Sequence, residues 1–129
     1  MFKGAAAGKT TKAIGDEAEI RALAWLLAQG LVLVQRNYRV ARGPSARGGE
    51  IDLIMREKSG ELVFVEVRAR RVGRFGGAAA SISASKQQRI LFAARCYLAG
   101  LAVLPPCRFD VLALDGEQVQ WLKAAFESS

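Results

Sequence analysis

The stretch GEIDLIMREKSGELVFVEVRAR, residues 49–70, decides the fold. It predicts β-strands over Glu50–Arg56 and Glu61–Arg70, joined by a polar turn that contains a glycine, a pattern typical of an antiparallel hairpin. Each strand carries an acid inside an apolar run, Asp52 in the first and Glu66 in the second. A buried charge is costly unless it is paired, hydrogen-bonded or bound to a metal. The hairpin is therefore a candidate functional site as well as the centre of the fold.

The segments around the hairpin predict one α/β domain over residues 15–129, after an N-terminal segment, residues 1–14, that we expect to be disordered. The first helix is expected to bury an apolar stripe at helical spacing, made of Ile20, Leu23, Ala24 and Leu27. The element order is α-β-β-β-α-β-β. In chain order, the elements outside the hairpin are a helix over Asp16–Gln29, a strand over Leu31–Arg39, a helix over Ser85–Ala99, strands over Arg108–Leu114 and Gln118–Leu122, and a short C-terminal helix.

The composition narrows the class of protein. Of 129 residues, 51% are hydrophobic, so a core is feasible, and no apolar run approaches the ~20 residues of a membrane span. The N-terminus has no apolar region of the kind that secretory signals carry, so a cytoplasmic location is expected. Lys and Arg outnumber Asp and Glu by 19 to 12, and the net charge of +7 favours nucleic acid as partner. The alternative is a basic surface that merely aids solubility.

The available side chains limit the chemistry. The chain has no His, and its two cysteines do not make a disulfide framework, so a His-based triad is excluded and a zinc site is disfavoured. A metal would need oxygen ligands, which indicates Mg²⁺ or Mn²⁺. Gly4–Thr10 is similar to a phosphate-binding P-loop, but its glycines are one residue too close and no strand precedes it.

The two acids of the hairpin point to a metal site. Antiparallel pairing can set Asp52 beside Glu66, and carboxylates that close repel each other unless a cation lies between them. A divalent ion held there would polarise a phosphate and lower the pKa of a bound water. Arg68, two residues beyond Glu66, is placed to hold the phosphate or the water. The competing interpretation is an ordinary network of Asp–Arg and Glu–Arg ion pairs.

Asp52, thirteen residues and then Glu66-x-Arg68 resembles the PD-(D/E)xK nuclease signature, and the whole chain resembles the YraN-like family of uncharacterised endonuclease-fold proteins. The pattern is also similar to that of archaeal Holliday-junction resolvases. The matching positions run almost end to end: Glu19, Gly30, Arg36 to Arg39, Gly49 to Ile54, Phe64 to Arg68, Arg70, Phe75-Gly76, Lys86-Gln87, Tyr97-Leu98 and Arg108 to Val111.

The resemblance implies a restriction-endonuclease-like fold, with a central mixed sheet flanked by helices and a metal site at one edge. It makes Asp52 and Glu66 metal ligands and catalytic residues together with Arg68, and it adds Glu19 and the Val67 carbonyl as further ligands. Glu19 can instead be an ordinary acid at the start of a helix. Because resolvase-like proteins often act as symmetric dimers, a homodimer is one implied assembly.

Two departures from the family pattern bear on catalysis. Arg68 stands where the family has Lys, and arginine keeps its proton near neutral pH, so Arg68 cannot act as a general base. The segment between Asn37 and Glu50 is also longer than usual, and its loop, with Arg42 and Arg47, either grips nucleic acid or obstructs it. The residues expected to follow the phosphates are Arg70, Arg71, Arg74, Lys86 and Arg89.

Three functions remain open on the sequence. The leading hypothesis is a Mg²⁺- or Mn²⁺-dependent nuclease that hydrolyses phosphodiester bonds of branched or damaged DNA, with DNA favoured over RNA. The second is a non-catalytic nucleic-acid-binding module on a degenerate nuclease scaffold, suggested by Arg68. The third is an adaptor whose basic face meets an acidic protein.

Overall fold

The computed structural model describes residues 10–43, 47–70 and 82–127, which form an α/β domain with the predicted order α-β-β-β-α-β-β. The elements are α1 (Thr11–Ala28), β1 (Val32–Val40), β2 (Gly49–Arg56), β3 (Leu62–Arg70), α2 (Ala84–Ala99), β4 (Cys107–Asp115) and β5 (Gln118–Phe126). The P-loop-like segment falls on residues that lie outside the described ranges, apart from Thr10, whose side chain caps α1 by accepting from the Ala13 N–H.

The five strands form one mixed sheet in the order β1-β2-β3-β4-β5. β2 and β3 pair antiparallel, as predicted for the hairpin, and β3 pairs parallel with β4. The parallel pair needs a crossover connection, and α2 supplies its helix. The helices pack on opposite faces of the sheet, so the architecture is that of a restriction-endonuclease-like fold.

The face under α1 differs from the predicted stripe. Ile20 and Leu27 are exposed by 57% and 46%, so the stripe that includes them is wrong. The helix instead buries Ala18, Ala22 and Leu26. Small alanine side chains let α1 lie close to the sheet, where it covers the apolar residues Leu53, Met55, Val63, Val65, Leu112 and Leu114.

The chain ends in a strand, and the predicted short C-terminal helix is wrong for the described residues up to 127. β5 continues to Phe126, whose ring stacks on Phe109 with a centroid distance of 5.2 Å. Ala124 has a φ of 52°, and its N–H donates to the fully buried Asp110 at 2.9 Å. Asp110 also accepts hydrogen bonds from Arg108 and Trp121. Hydrogen bonds to the Asp110 side chain therefore stabilise an irregular strand where a helix was expected.

Helix α2 lies directly against the start of β2. A Cβ atom added to Gly49 would collide with the Arg89 carbonyl oxygen and would lie 2.9 Å from the Ala93 nitrogen. Glycine is therefore required at position 49 by the close approach of two backbones. This contact fixes the position of α2 relative to β2, on which the candidate site depends.

The replacement Gly49→Ala tests this contact. It should lower the free energy of unfolding by about 2 kcal/mol, because the added methyl group overpacks a backbone contact. Gly15→Ala is the matched control, since its Cβ would meet no atom within 4 Å. The control should leave stability unchanged or raise it by about 0.5 kcal/mol, as alanine favours helix. Urea denaturation measures both, and equal effects would contradict the packing argument.

Candidate functional site

The sheet opens at the two acids of the hairpin. The paired register of β2 and β3 runs from Arg56–Leu62 to Leu53–Val65 and stops there. Beyond that point β2 stays paired with β1 as far as Gly49, while β3 stays paired with β4 as far as Arg70. Asp52 and Glu66 are the first residues past the last β2–β3 pair, so both lie where the strands separate.

At this opening a side-chain carboxylate replaces a backbone carbonyl as the hydrogen-bond acceptor. Asp52 Oδ2 accepts a hydrogen bond of 2.9 Å from the Val67 N–H. The N–H and C=O groups of one strand residue point to the same side, so the Val67 carbonyl also faces the opening. Beyond Asp52 the alternation of β2 breaks, because Ile51 packs with Ile54 under α2 rather than with Leu53 under α1.

Strand β1, which pairs with β2, is also distorted opposite Asp52. Asn37 lies between the paired positions Arg36–Leu53 and Tyr38–Ile51, opposite Asp52, and has a φ of 51°. Asparagine adopts this left-handed conformation more readily than most residues, and such residues cluster at functional sites. The Asn37 side chain hydrogen-bonds Glu19 of α1, which connects the helix to the opening.

Asp52 and Glu66 form a carboxyl pair in which Glu66 is buried and Asp52 is half-buried. Glu66 is only 4% exposed, and the two carboxyl groups lie within hydrogen-bonding reach of each other. Burial and then the Asp52 charge raise the pKa of Glu66 to about 8. Burial also raises the pKa of Asp52, although the Val67 N–H opposes this shift. Without a bound cation the pair therefore shares a proton at neutral pH.

Two cations face Glu66 Oε2. Lys86 Nζ lies 3.5 Å away and Arg68 Nη1 lies 3.9 Å away. Helix α2 brings Lys86 to the carboxyl pair. Its predicted contact with phosphates stays a prediction. Ser83 caps α2 by accepting from the Lys86 N–H at 3.0 Å, and this cap fixes the first turn that carries the lysine. A lysine ammonium therefore lies beside Glu66, although it comes from α2 and not from position 68.

Glu19 approaches the pair from the α1 side. Burial and the Asp52 charge raise its pKa, while Arg36 and the hydrogen bond from Asn37 oppose that shift. Within the described residues, however, no group of three or more Asp, Glu, Cys or His side chains is arranged to hold a metal. The role of Glu19 as a third ligand stays a prediction.

The donor set fits a hydrated divalent cation. Glu66 Oε1 is fully buried and receives no hydrogen bond from any donor group in the described part of the chain. Such an atom is costly to bury unless it gains a partner. Mg²⁺ is commonly held by one or two carboxylates and keeps several waters, so Asp52, Glu66 and the Val67 carbonyl suffice in number and type.

Other predicted residues have different surroundings. Arg89 donates to Glu50 at 2.9 Å, so its guanidinium braces α2 on β2. Arg71 and Arg74 lie outside the described residues, and Arg70 is described only as the last residue of β3, paired with Asp115. No role is predicted from the sequence for Asn37 or Arg36, although a polar Asn inside a strand is a signal of backbone irregularity.

The fold and the paired acids define a class, the α/β proteins with a restriction-endonuclease-like architecture. The family model described as "Uncharacterised protein family UPF0102" matches residues 18–114, and the chain belongs to this family. The predicted membership of the YraN-like family is thereby confirmed. The chain is 62% identical to a UPF0102 protein of Methylibium petroleiphilum, over 93% of this chain and 98% of that relative. It is 52% identical to one of Acidovorax sp., over 98% of this chain and 93% of that relative.

Neither helix in the described ranges has the length and apolar character that a membrane-spanning helix needs.

The raised pKa of Glu66 makes stability depend on pH. In the metal-free protein the Glu66 carboxyl group keeps its proton up to about pH 8 in the folded state. In the unfolded state it loses that proton above its ordinary pKa of 4.5. Folding stability should therefore fall as pH rises through this window, by about 5 kcal/mol at about 1.4 kcal/mol for each pH unit, and level off above it. Urea denaturation between pH 4 and 9 in a chelator measures this loss.

Glu66→Gln provides the comparison, because an amide has no proton to lose. The variant should lose much less stability over the same range, whereas Glu117→Gln, a change to an exposed acid between β4 and β5, should behave like the wild type. Parallel curves for the wild type and Glu66→Gln would show that Glu66 does not hold the proton.

Proposed function

We propose that the protein is a metal-dependent nuclease that hydrolyses phosphodiester bonds of DNA, including branched or damaged DNA. The observation that carries this proposal is the carboxyl pair at the opening of the sheet, with one buried Glu66 oxygen that has no hydrogen-bond donor among the described residues and two cations beside the pair. The net charge of +7 supports a polyanionic substrate.

The metal would be Mg²⁺ or Mn²⁺. Asp52, Glu66 and the Val67 carbonyl would hold it, with Glu19 as a further ligand on the α1 side. A bound ion supplies charge stabilisation at the phosphate and a water of lowered pKa. Its charge would also replace the shared proton of the carboxyl pair, because metal ligands must be deprotonated.

The two cations take different tasks. Arg68 keeps its charge and offers a planar fork of donors, so it neutralises and orients a phosphate oxygen. Lys86 is a compact ammonium on the first turn of α2, beside the same Glu66 oxygen, and orients the attacking water or the phosphate. Lys86 therefore supplies the lysine that the family motif places two residues after the Glu.

The competing function is a nucleic-acid-binding module without catalysis. Arg68 in the lysine position and the two-carboxylate site favour this reading. It requires salt-sensitive binding with no cleavage under any metal. An adaptor that binds an acidic protein requires no DNA binding even at low salt. The cytoplasmic location and the homodimer stay predictions.

Cleavage of labelled linear and branched DNA in Mg²⁺ or Mn²⁺ tests the proposal. Asp52→Asn and Glu66→Gln should each lower the rate at least about 100-fold, because each removes a metal ligand. Lys86→Ala should lower the rate by about 100-fold, the cost of removing one preorganised group at a reacting phosphate. Lys58→Ala, at an exposed lysine in the β2–β3 turn, is the charge-matched control and should retain the wild-type rate.

The outcomes separate the alternatives. Cleavage that survives both acid replacements contradicts the assignment of the site. DNA binding without cleavage in the wild type supports the binding module, and Arg68→Lys then shows whether a lysine in the family position restores activity. If Lys86→Ala equals the wild type while Arg68→Ala is inactive, the role given to Lys86 is wrong.

A further inference from the structure

Four arginines line one depression at the surface of α2. The depression has a volume of about 290 Å³ and lies between α2 and the segment that joins β1 to β2. That segment contributes Arg42 and Arg47, and α2 contributes Arg89 and Arg95. No acid is among its described lining residues. We call this surface the arginine cleft.

The packing around the cleft holds its walls in place. The Arg42 guanidinium lies over the Phe92 ring, 4.8 Å from the centroid. Directly after the segment, the first residue of β2, Gly49, meets the backbone of α2 without any intervening side chain. Because Arg42 covers the Phe92 ring, the cleft presents charge rather than an aromatic face on which a base would stack.

The charge of the cleft is largely uncompensated. Arg89 is paired with Glu50, but Arg47 and Arg95 form no ion pair with any residue that the structure describes. The Arg89 Nε is fully buried and finds no acceptor among the same residues. Like charges brought together repel each other, and a buried donor without an acceptor is costly, so both features favour a bound anion.

The cleft continues toward the acids. Arg89 also lines a neighbouring depression of about 430 Å³, whose other walls include Arg39, Gly49 and Glu50. Glu50 is two residues before Asp52 on β2, and its charge contributes to the raised pKa of Asp52. Because Arg89 neutralises Glu50, a chain of phosphates in the cleft can extend past this wall toward the carboxyl pair.

We propose that the arginine cleft binds the phosphodiester backbone of the nucleic-acid strand, next to the phosphate at the carboxyl pair. Guanidinium groups match phosphate oxygens with paired hydrogen bonds. A polyanion with regularly spaced phosphates can reach from the cleft to a metal between Asp52 and Glu66. This inference rests on the proposed function for its substrate, but it concerns binding and needs no cleavage.

The test measures binding of a fluorescein-labelled single-stranded DNA and its duplex by anisotropy, in EDTA, between 50 and 200 mM salt. The variant is Arg47→Ala with Arg95→Ala, two exposed side chains. It should weaken binding at least tenfold at the lowest salt and reduce the slope of log K against log salt by about 1.5, since each phosphate contact contributes about 0.7 to 0.9.

The matched control is Arg56→Ala with Lys58→Ala, which removes the same charge from the opposite end of β2. It should weaken binding less than threefold. Equal losses in both variants would show a diffuse effect of net charge and overturn the cleft. Wild-type binding of poly-glutamate as tightly as DNA would overturn the assignment to phosphodiesters.

Cleavage by the same variants is measured separately, with metal. Weakened binding in a protein that never cleaves supports the cleft and contradicts the nuclease. Unchanged binding in a protein whose cleavage requires Asp52 contradicts the cleft and supports the nuclease. Folding of each variant is checked by its urea midpoint, which both replacements should leave unchanged because the side chains are exposed.

Discussion

The hydrogen bond from the Val67 N–H to the Asp52 carboxylate is the interaction on which the site depends. It ends the β2–β3 ladder with a side chain, so the sheet separates into two arms without leaving the Val67 donor unpaired. β1 and β4 hold the arms apart by continuing their own pairing. The opening therefore places two carboxyl groups and a carbonyl at the centre of the sheet rather than on its surface.

The same opening sets the electrostatics. Burial brings Glu66 beside Asp52 in a region where two negative charges cannot both persist without a cation. Lys86 and Arg68 reduce this cost, but Lys86 lies 3.5 Å from the carboxylate, which is longer than a close ion pair. One buried oxygen of Glu66 still has no hydrogen-bond donor among the described residues. A divalent cation would be its partner when bound, and the proton shared with Asp52 would be its partner when no cation is present.

The hairpin, the element order and the proximity of Asp52 to Glu66 could be predicted from the sequence, because they follow from the alternation of side chains in strands and from the residues of the turn. Features that tertiary contacts determine could not be predicted. Alanines rather than larger residues face the sheet from α1, and Asp110 turns the expected C-terminal helix into a strand. The position of Lys86 beside Glu66 depends on the backbone contact at Gly49, which no spacing along the chain reveals. The left-handed backbone at Asn37 is likewise fixed by its neighbours.

The central claim is that the carboxyl pair holds a divalent metal, and a crystal structure of the protein soaked in Mn²⁺ tests it most directly. The account predicts one anomalous scattering peak between Asp52 and Glu66, within about 2.2 Å of an oxygen of each, with waters completing the shell. Asp52→Asn with Glu66→Gln should remove that peak. Saturating Mn²⁺ that leaves the pair empty, or that binds only elsewhere, would contradict the account.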